Sequence, residues 1–156
     1  LALSHVPELL LLDEPTTGLD AIIREEFLDG LKHLLERQSC TVLLSSHIMS
    51  DIEKVADMIG IINQGRLLVC APRKELIART KRLRVKIAQG ERSTASPEGT
   101  IFEDMVDGCR YLTVRDFSPD TLQRVRQQTG AEDIEVIDLS LEEIFKDFIK
   151  GARAKC

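Results

Sequence analysis

Leu9-Leu10-Leu11-Leu12 is an uninterrupted apolar run that stops abruptly at Asp13-Glu14-Pro15. A run of this length, closed by turn residues, predicts a short strand buried on both faces. After Asp20 the period changes. Ile23, Phe27, Leu31 and Leu34/Leu35 recur at helical spacing, with Arg24, Glu25, Lys32 and Glu36 on the other side. That pattern predicts an amphipathic helix of about 17 residues, weakened only slightly by Gly30. Thr41–Ser45 is short and apolar, a second strand. Strand, helix and strand in this order form a parallel crossover unit. Asp13, Glu14 and His47 then lie just past the carboxyl ends of two strands of one sheet, and are expected to line one crevice.

Ile48 to Asp57 predicts another helix, with Ile48, Ile52 and Val55 inward. Met58–Ile62 and Arg66–Val69 read as strands joined around Asn63-Gln64-Gly65, a hairpin signal. Pro72 suits the first turn of a short helix that runs to about Arg79. From about Lys81 the style changes. Leu83, Val85 and Ile87 alternate with Arg84, Lys86 and Ala88, as in a strand with one wet face. Gly90 to Thr100 is polar and predicts a loop. Arg110–Arg115 alternates again. Ser118-Pro119 opens a helix that Gly130 closes. Ile134–Ile137 is a strand. Ser140-Leu141-Glu142-Glu143 is a capping box for a helix whose Leu141, Ile144, Phe145, Phe148 and Ile149 form one apolar stripe, expected to stop at Gly151. Such a stripe is more often core than a partner's docking face.

Composition narrows the class. With 156 residues, 43% of them hydrophobic, the chain can fold as one domain or two small ones. No apolar stretch approaches the roughly 18–20 residues of a membrane span, and the Leu1 end lacks the basic region of a signal peptide. A net charge of −5 gives no bulk attraction to nucleic acid. The local basic run Arg79-Thr80-Lys81-Arg82-Leu83-Arg84 reads as a solvated strand approach in preference to a phosphate or lipid-headgroup patch. Cys40, Cys70, Cys109 and Cys156 are scattered, without zinc-ligand spacing, and are taken as free thiols in a reducing compartment.

Candidate chemistry concentrates after the two strands of the first half. Paired carboxylates at a strand's carboxyl end can divide two tasks. Asp13 can hold Mg²⁺ through water, since that ion keeps its waters and takes few protein carboxylates. Glu14 can orient or deprotonate an attacking water. A nearby Asp13 carboxylate is expected to raise the proton affinity of Glu14. Each acid could instead serve only the turn. Asp20 is well placed to cap the helix that follows it. His5 and His33 are read as structural histidines. His47 is set apart by Ser45-Ser46-His47 and by the crevice it shares with the acids.

The ordered set of apolar strand, Asp13-Glu14-Pro15, Thr17-Gly18-Leu19-Asp20, amphipathic helix, apolar strand and Ser46-His47 closely resembles one family. It is similar to the Walker B strand, D-loop and switch-histidine loop of ABC-type ATPases, over about the first 70 residues. The resemblance implies an α/β fold, the C-terminal part of a P-loop NTPase sheet domain (residues 1–80). It implies Asp13 as the water-mediated Mg²⁺ ligand, Glu14 as general base, His47 as a contact to the γ-phosphate, and Asp20 as a D-loop residue at a dimer interface near nucleotide. The family commonly has Pro after that aspartate; here it is Ala21. The closing Ser140-Leu141-Glu142-Glu143-Ile144-Phe145 resembles the C-terminal region of ABC-2-type exporter ATPases, which implies a small α+β accessory module over residues 81–156.

The sequence contains no Gly-x-x-x-x-Gly-Lys-Ser/Thr loop, no Leu-Ser-Gly-Gly-Gln signature and no Q-loop, all of which precede Walker B in the family. The chain is therefore expected to be the C-terminal part of a longer protein, inactive alone. The resemblance implies ATP and Mg²⁺ as cofactors. It also implies a transmembrane permease partner, a homodimer or heterodimer of nucleotide-binding domains, no nucleic acid, and a place at the cytoplasmic face of the membrane. Two other readings stand beside it: a soluble, non-transport ABC ATPase of DNA repair or translation, and a non-catalytic truncated or regulatory module.

Overall fold

The computed structural model describes residues 7–37, 40–86, 96–131 and 133–154. The chain divides into two compact units, between Ala56 and Asp57. His5, Ile87, Cys156 and most of the Gly90–Thr100 loop lie outside the described residues.

The first unit holds β1 (Leu9–Asp13), α1 (Ala21–Arg37), β2 (Thr41–Ser45) and α2 (Met49–Val55). β1 and β2 pair in parallel, in a register that sets Leu9 opposite Thr41 and Asp13 opposite Ser45. This is the expected crossover: two short apolar strands joined by a helix long enough to return the chain to the same end. One expectation fails. Leu10 is buried, but Leu9, Leu11 and Leu43 are exposed. Strand side chains alternate between faces, so within this unit the two-stranded sheet has one covered face and one open apolar face. In α1 the residues fully out of water are Leu28 and Leu31, while Ile23, expected inward, is exposed.

The second unit holds β3 (Met58–Asn63), β4 (Arg66–Pro72), α3 (Arg73–Arg79), β5 (Lys81–Lys86), β6 (Thr100–Val106), β7 (Cys109–Val114), α4 (Pro119–Thr129), β8 (Ile134–Asp138) and α5 (Leu141–Ala154). β3 and β4 form an antiparallel hairpin whose two turn residues, Gln64 and Gly65, both have positive φ. That is the backbone a tight two-residue hairpin needs. The other strands make an antiparallel sheet in the order β6-β7-β5-β8. Its core joins Leu83 and Val85 of β5 to Leu112 and Val114 of β7, with Val125 of α4 and Ala131. Ser118 and Thr121 close the capping box of α4, and Gly130 ends it in the left-handed conformation. The Lys81 style change falls inside this unit, since α5 lies against β3 as well as against β6.

The basic run has a plain account. Arg79 pairs with Glu75 and Asp116, Lys81 with Asp138, Arg82 with Glu143 and Asp147, and Arg84 with Glu135. Each cation of the run has an acidic partner within the unit. Asp147, buried on α5, also accepts from the Thr113 hydroxyl at 2.5 Å. A buried carboxylate is tolerable when paired and hydrogen-bonded in this way.

α5 passes through Gly151 and continues to Ala154, where the sequence suggests a stop. Gly151 is there because the helix touches β6: a Cβ at this position would overlap the Ile101 carbonyl. Gly30, in the interior of α1, has open space at the same position. The two glycines should therefore respond oppositely to alanine. Gly30→Ala should stabilise by up to about 1 kcal/mol through helix propensity. Gly151→Ala should destabilise by about 1–3 kcal/mol through overpacking. Thermal unfolding of both variants checks the signs; a stabilised Gly151→Ala would contradict the close approach of α5 to β6.

Candidate functional site

The parallel register brings Asp13 and Ser45 side by side at the ends of β1 and β2. The Ser45 hydroxyl donates to Asp13 Oδ1 at 2.5 Å and accepts from the Glu14 N–H at 2.9 Å. The Ser45 carbonyl accepts from the same N–H at 3.2 Å. The chain turns sharply here. Glu14 has φ of 45°, in the left-handed region that a residue with a side chain rarely occupies. Strain of this kind concentrates where surrounding contacts fix the backbone.

That turn sends the Glu14 carboxylate toward the loop after β2. Its Oε2 accepts from the Thr17 hydroxyl at 3.0 Å and meets His47 Nδ1 at 2.8 Å. Both donors fall on Oε2. With Nδ1 donating to the carboxylate, the neutral His47 ring has Nε2 as an acceptor; it donates through Nε2 only when both nitrogens carry protons. Both side chains remain open to water, Glu14 38% exposed and His47 69%.

The electrostatics correct one expectation. The Glu14 carboxyl is held below its ordinary range, chiefly by the His47 hydrogen bond; the Thr17 hydroxyl acts the same way and desolvation opposes them. Asp13 was expected to push it upward and is not among the causes. Asp13 is exposed to water and its Oδ1 is taken by Ser45, whereas the imidazole contacts Glu14 directly.

Asp20 caps α1: its Oδ1 accepts from the Ile22 and Ile23 N–H groups at 2.9 and 3.0 Å. No hydrogen bond ties Asp20 to Glu14 or His47 among the described residues. His33 is exposed on α1. Sequence reasoning left two members of the cluster without a role, Thr17 and Ser45. The Thr17 contact needed only its spacing, three residues past Glu14. The Ser45 contact follows from pairing the last residues of the two strands.

Asp13 fits a hydrated divalent cation in one respect. It is a hard oxygen donor at the strand end, exposed to solvent. Among the described residues no cluster of three or more His, Cys, Asp or Glu could hold a metal. The protein donor is thus a single carboxylate, which suits an ion whose other ligands are waters and phosphate oxygens.

No family model matches the chain. Curated proteins do. The bacitracin transport ATP-binding protein BcrA of Bacillus licheniformis is 44% identical over 81 residues, 52% of this chain and 26% of that protein. The linearmycin resistance ATP-binding protein LnrL of Bacillus subtilis is 42% identical over 78 residues, 50% of this chain and 25% of that protein. The Nod factor export ATP-binding protein I of Neorhizobium galegae is 41% identical over 76 residues, 49% and 22%. The chain is related to the ATP-binding proteins of ABC transporters. It spans about a quarter of the length of these ABC relatives. The mixed helix-and-sheet fold agrees with the α/β class expected of the C-terminal part of an ABC ATPase. Among the described residues no helix is long and apolar enough to cross a membrane.

Proposed function

We propose that the chain is the C-terminal part of an ABC transporter ATP-binding subunit, and that the whole protein couples MgATP hydrolysis to transport through a membrane permease. The observation that carries this reading is the 2.8 Å contact between His47 and Glu14 at the ends of two parallel strands. In this reading Glu14 is the general base. Its second oxygen, Oε1, accepts the proton of the attacking water while Oε2 stays fixed by Thr17 and His47. His47 holds that carboxylate in place and, with both nitrogens protonated, donates to a phosphoryl oxygen through Nε2. Asp13 would hold a Mg²⁺ ion through water, and the ion would supply neutralisation of charge on the phosphates. Asp20 caps α1 and presents the D-loop to a second nucleotide-binding domain.

Residues 1–80 then serve the nucleotide, and residues 81–156 form the accessory module of an exporter subunit, at the cytoplasmic face of the membrane. Export is favoured by the name of the Nod factor export relative. The open face at Leu9, Leu11 and Leu43 would be covered in the whole protein.

A nucleotide titration tests the reading. The sequence has no phosphate loop, and a backbone N–H cradle with its lysine supplies most of the hold on the phosphates. The 156-residue chain should show no saturable MgATP binding below about millimolar, weaker than roughly −4 kcal/mol. The whole protein should bind tightly and hydrolyse. Tight binding by the chain alone, or a whole protein that does not hydrolyse ATP, would overturn the reading.

A further inference from the structure

We propose that Ser45 is a positioning residue whose hydroxyl sets the orientation of both acids at the site. This rests on the reading of Glu14 as the base. The hydroxyl is used twice: it donates to Asp13 Oδ1 and accepts from the Glu14 N–H. A hydroxyl has one proton to give and lone pairs to receive with, so one oxygen atom locks two consecutive residues against each other. No alanine, valine or leucine at the end of an apolar strand could do both.

Two consequences follow from the geometry. Oδ1 of Asp13 gives one of its acceptor positions to the Ser45 hydroxyl, which fixes the direction of that carboxylate. The Glu14 N–H is held by two acceptors of the same residue, the Ser45 hydroxyl and the Ser45 carbonyl. Glu14 needs holding, because its left-handed backbone is costly for a residue with a side chain. The left-handed turn is what carries the carboxylate to His47 and Thr17. Removing the hydroxyl leaves the carbonyl bond and the strand pairing intact, so the unit should remain folded while the carboxylate loses its fixed direction. A lost hydroxyl at an exposed strand end is a small change, and threonine keeps the oxygen on a residue that favours strands.

The test has two arms. In the 156-residue chain, nitrogen-15 shifts of the imidazoles report which ring nitrogen carries the proton. In the wild type His47 should be held in the Nδ1–H form by Glu14. In Ser45→Ala it should revert toward the Nε2–H form usual for a free imidazole, with His33 unchanged as the internal control. Ser45→Thr should retain the wild-type form. In the whole protein, Ser45→Ala should lower kcat about 10- to 100-fold, the scale of a misplaced catalytic group. KM for ATP should stay within about threefold if the interaction acts mainly in the transition state, and Ser45→Thr should recover most of kcat. An unchanged His47 tautomer in Ser45→Ala would overturn the proposal, as would equal losses in the alanine and threonine variants. The tautomer arm reads the chain's own geometry without turnover, so it fails separately from the assignment of Glu14 as base.

Discussion

Glu14→Gln in the whole protein should abolish sustained ATP hydrolysis while leaving nucleotide binding in place. Glutamine keeps the shape of the side chain and can still receive the Thr17 hydroxyl, but its amide cannot take a proton from water. A positioned general base is typically worth about 10²–10⁴-fold in rate, and that is the expected fall in steady-state turnover. If, as proposed, a phosphate loop of the whole protein supplies most of the hold on ATP, affinity should change little, and a nucleotide-bound dimer should accumulate. The pH profile adds a second reading. His47 and Thr17 hold the Glu14 carboxyl below its ordinary range, so Glu14 stays ionised to lower pH than a free glutamate. The acid limb of the rate profile should therefore lie below the usual carboxylate range. Undiminished turnover in Glu14→Gln would make Glu14 a turn residue and require another base.

His47→Ala should slow hydrolysis far more than it weakens binding. Its ring touches the carboxylate proposed to act on the water, and it is the largest cause of the lowered Glu14 proton affinity. Removing it takes away a positioned donor where charge moves, an effect on the scale of about 10²–10³-fold. It should also shift the acid limb upward. The sign is fixed by linkage: without its hydrogen-bond donor the Glu14 carboxyl returns toward its ordinary value, so protonation sets in at higher pH. The group is well exposed, so little change in global stability should accompany that shift. Single-turnover hydrolysis and nucleotide affinity, measured on the same protein, separate the two effects. If hydrolysis is unchanged and only thermal stability falls, His47 is structural.

Much of this geometry was legible because it depends on period and order. Two apolar runs separated by a helical pattern leave little choice but a parallel crossover, and that alone brings Glu14 and His47 to the same end of a sheet. What failed was burial. The sequence marks Leu9–Leu12 as apolar, but whether both faces are covered depends on neighbouring layers, and the first unit covers only one. The strand Thr100–Val106 has a signal in the turn that follows it: Asp107-Gly108 is a strong hairpin turn, and both residues adopt the positive φ that such a turn requires. The irregular pairing near Thr100 and Phe102 blurs the alternation at its start. Gly151 misled for a related reason. A glycine near a helix end reads as a stop, and here it is a point of close contact with the Ile101 backbone. The proton affinity of Glu14 runs opposite to what its sequence neighbour Asp13 implies, because the fold brings His47 from the end of the next strand into direct contact with it.

If Glu14 and His47 act as one unit, as proposed, a double-mutant cycle on single-turnover hydrolysis should show it. The rates needed are those of wild type, Glu14→Gln, His47→Ala and the double variant, in the whole protein at saturating MgATP. Groups that act together lose their contributions non-additively. The double variant should be slowed by clearly less than the product of the two single effects, because the part of the His47 effect that passes through the carboxylate is already lost in Glu14→Gln. A double variant slowed by the full product of the two single effects would mean that the residues act independently, and the 2.8 Å contact would then have no part in the chemistry.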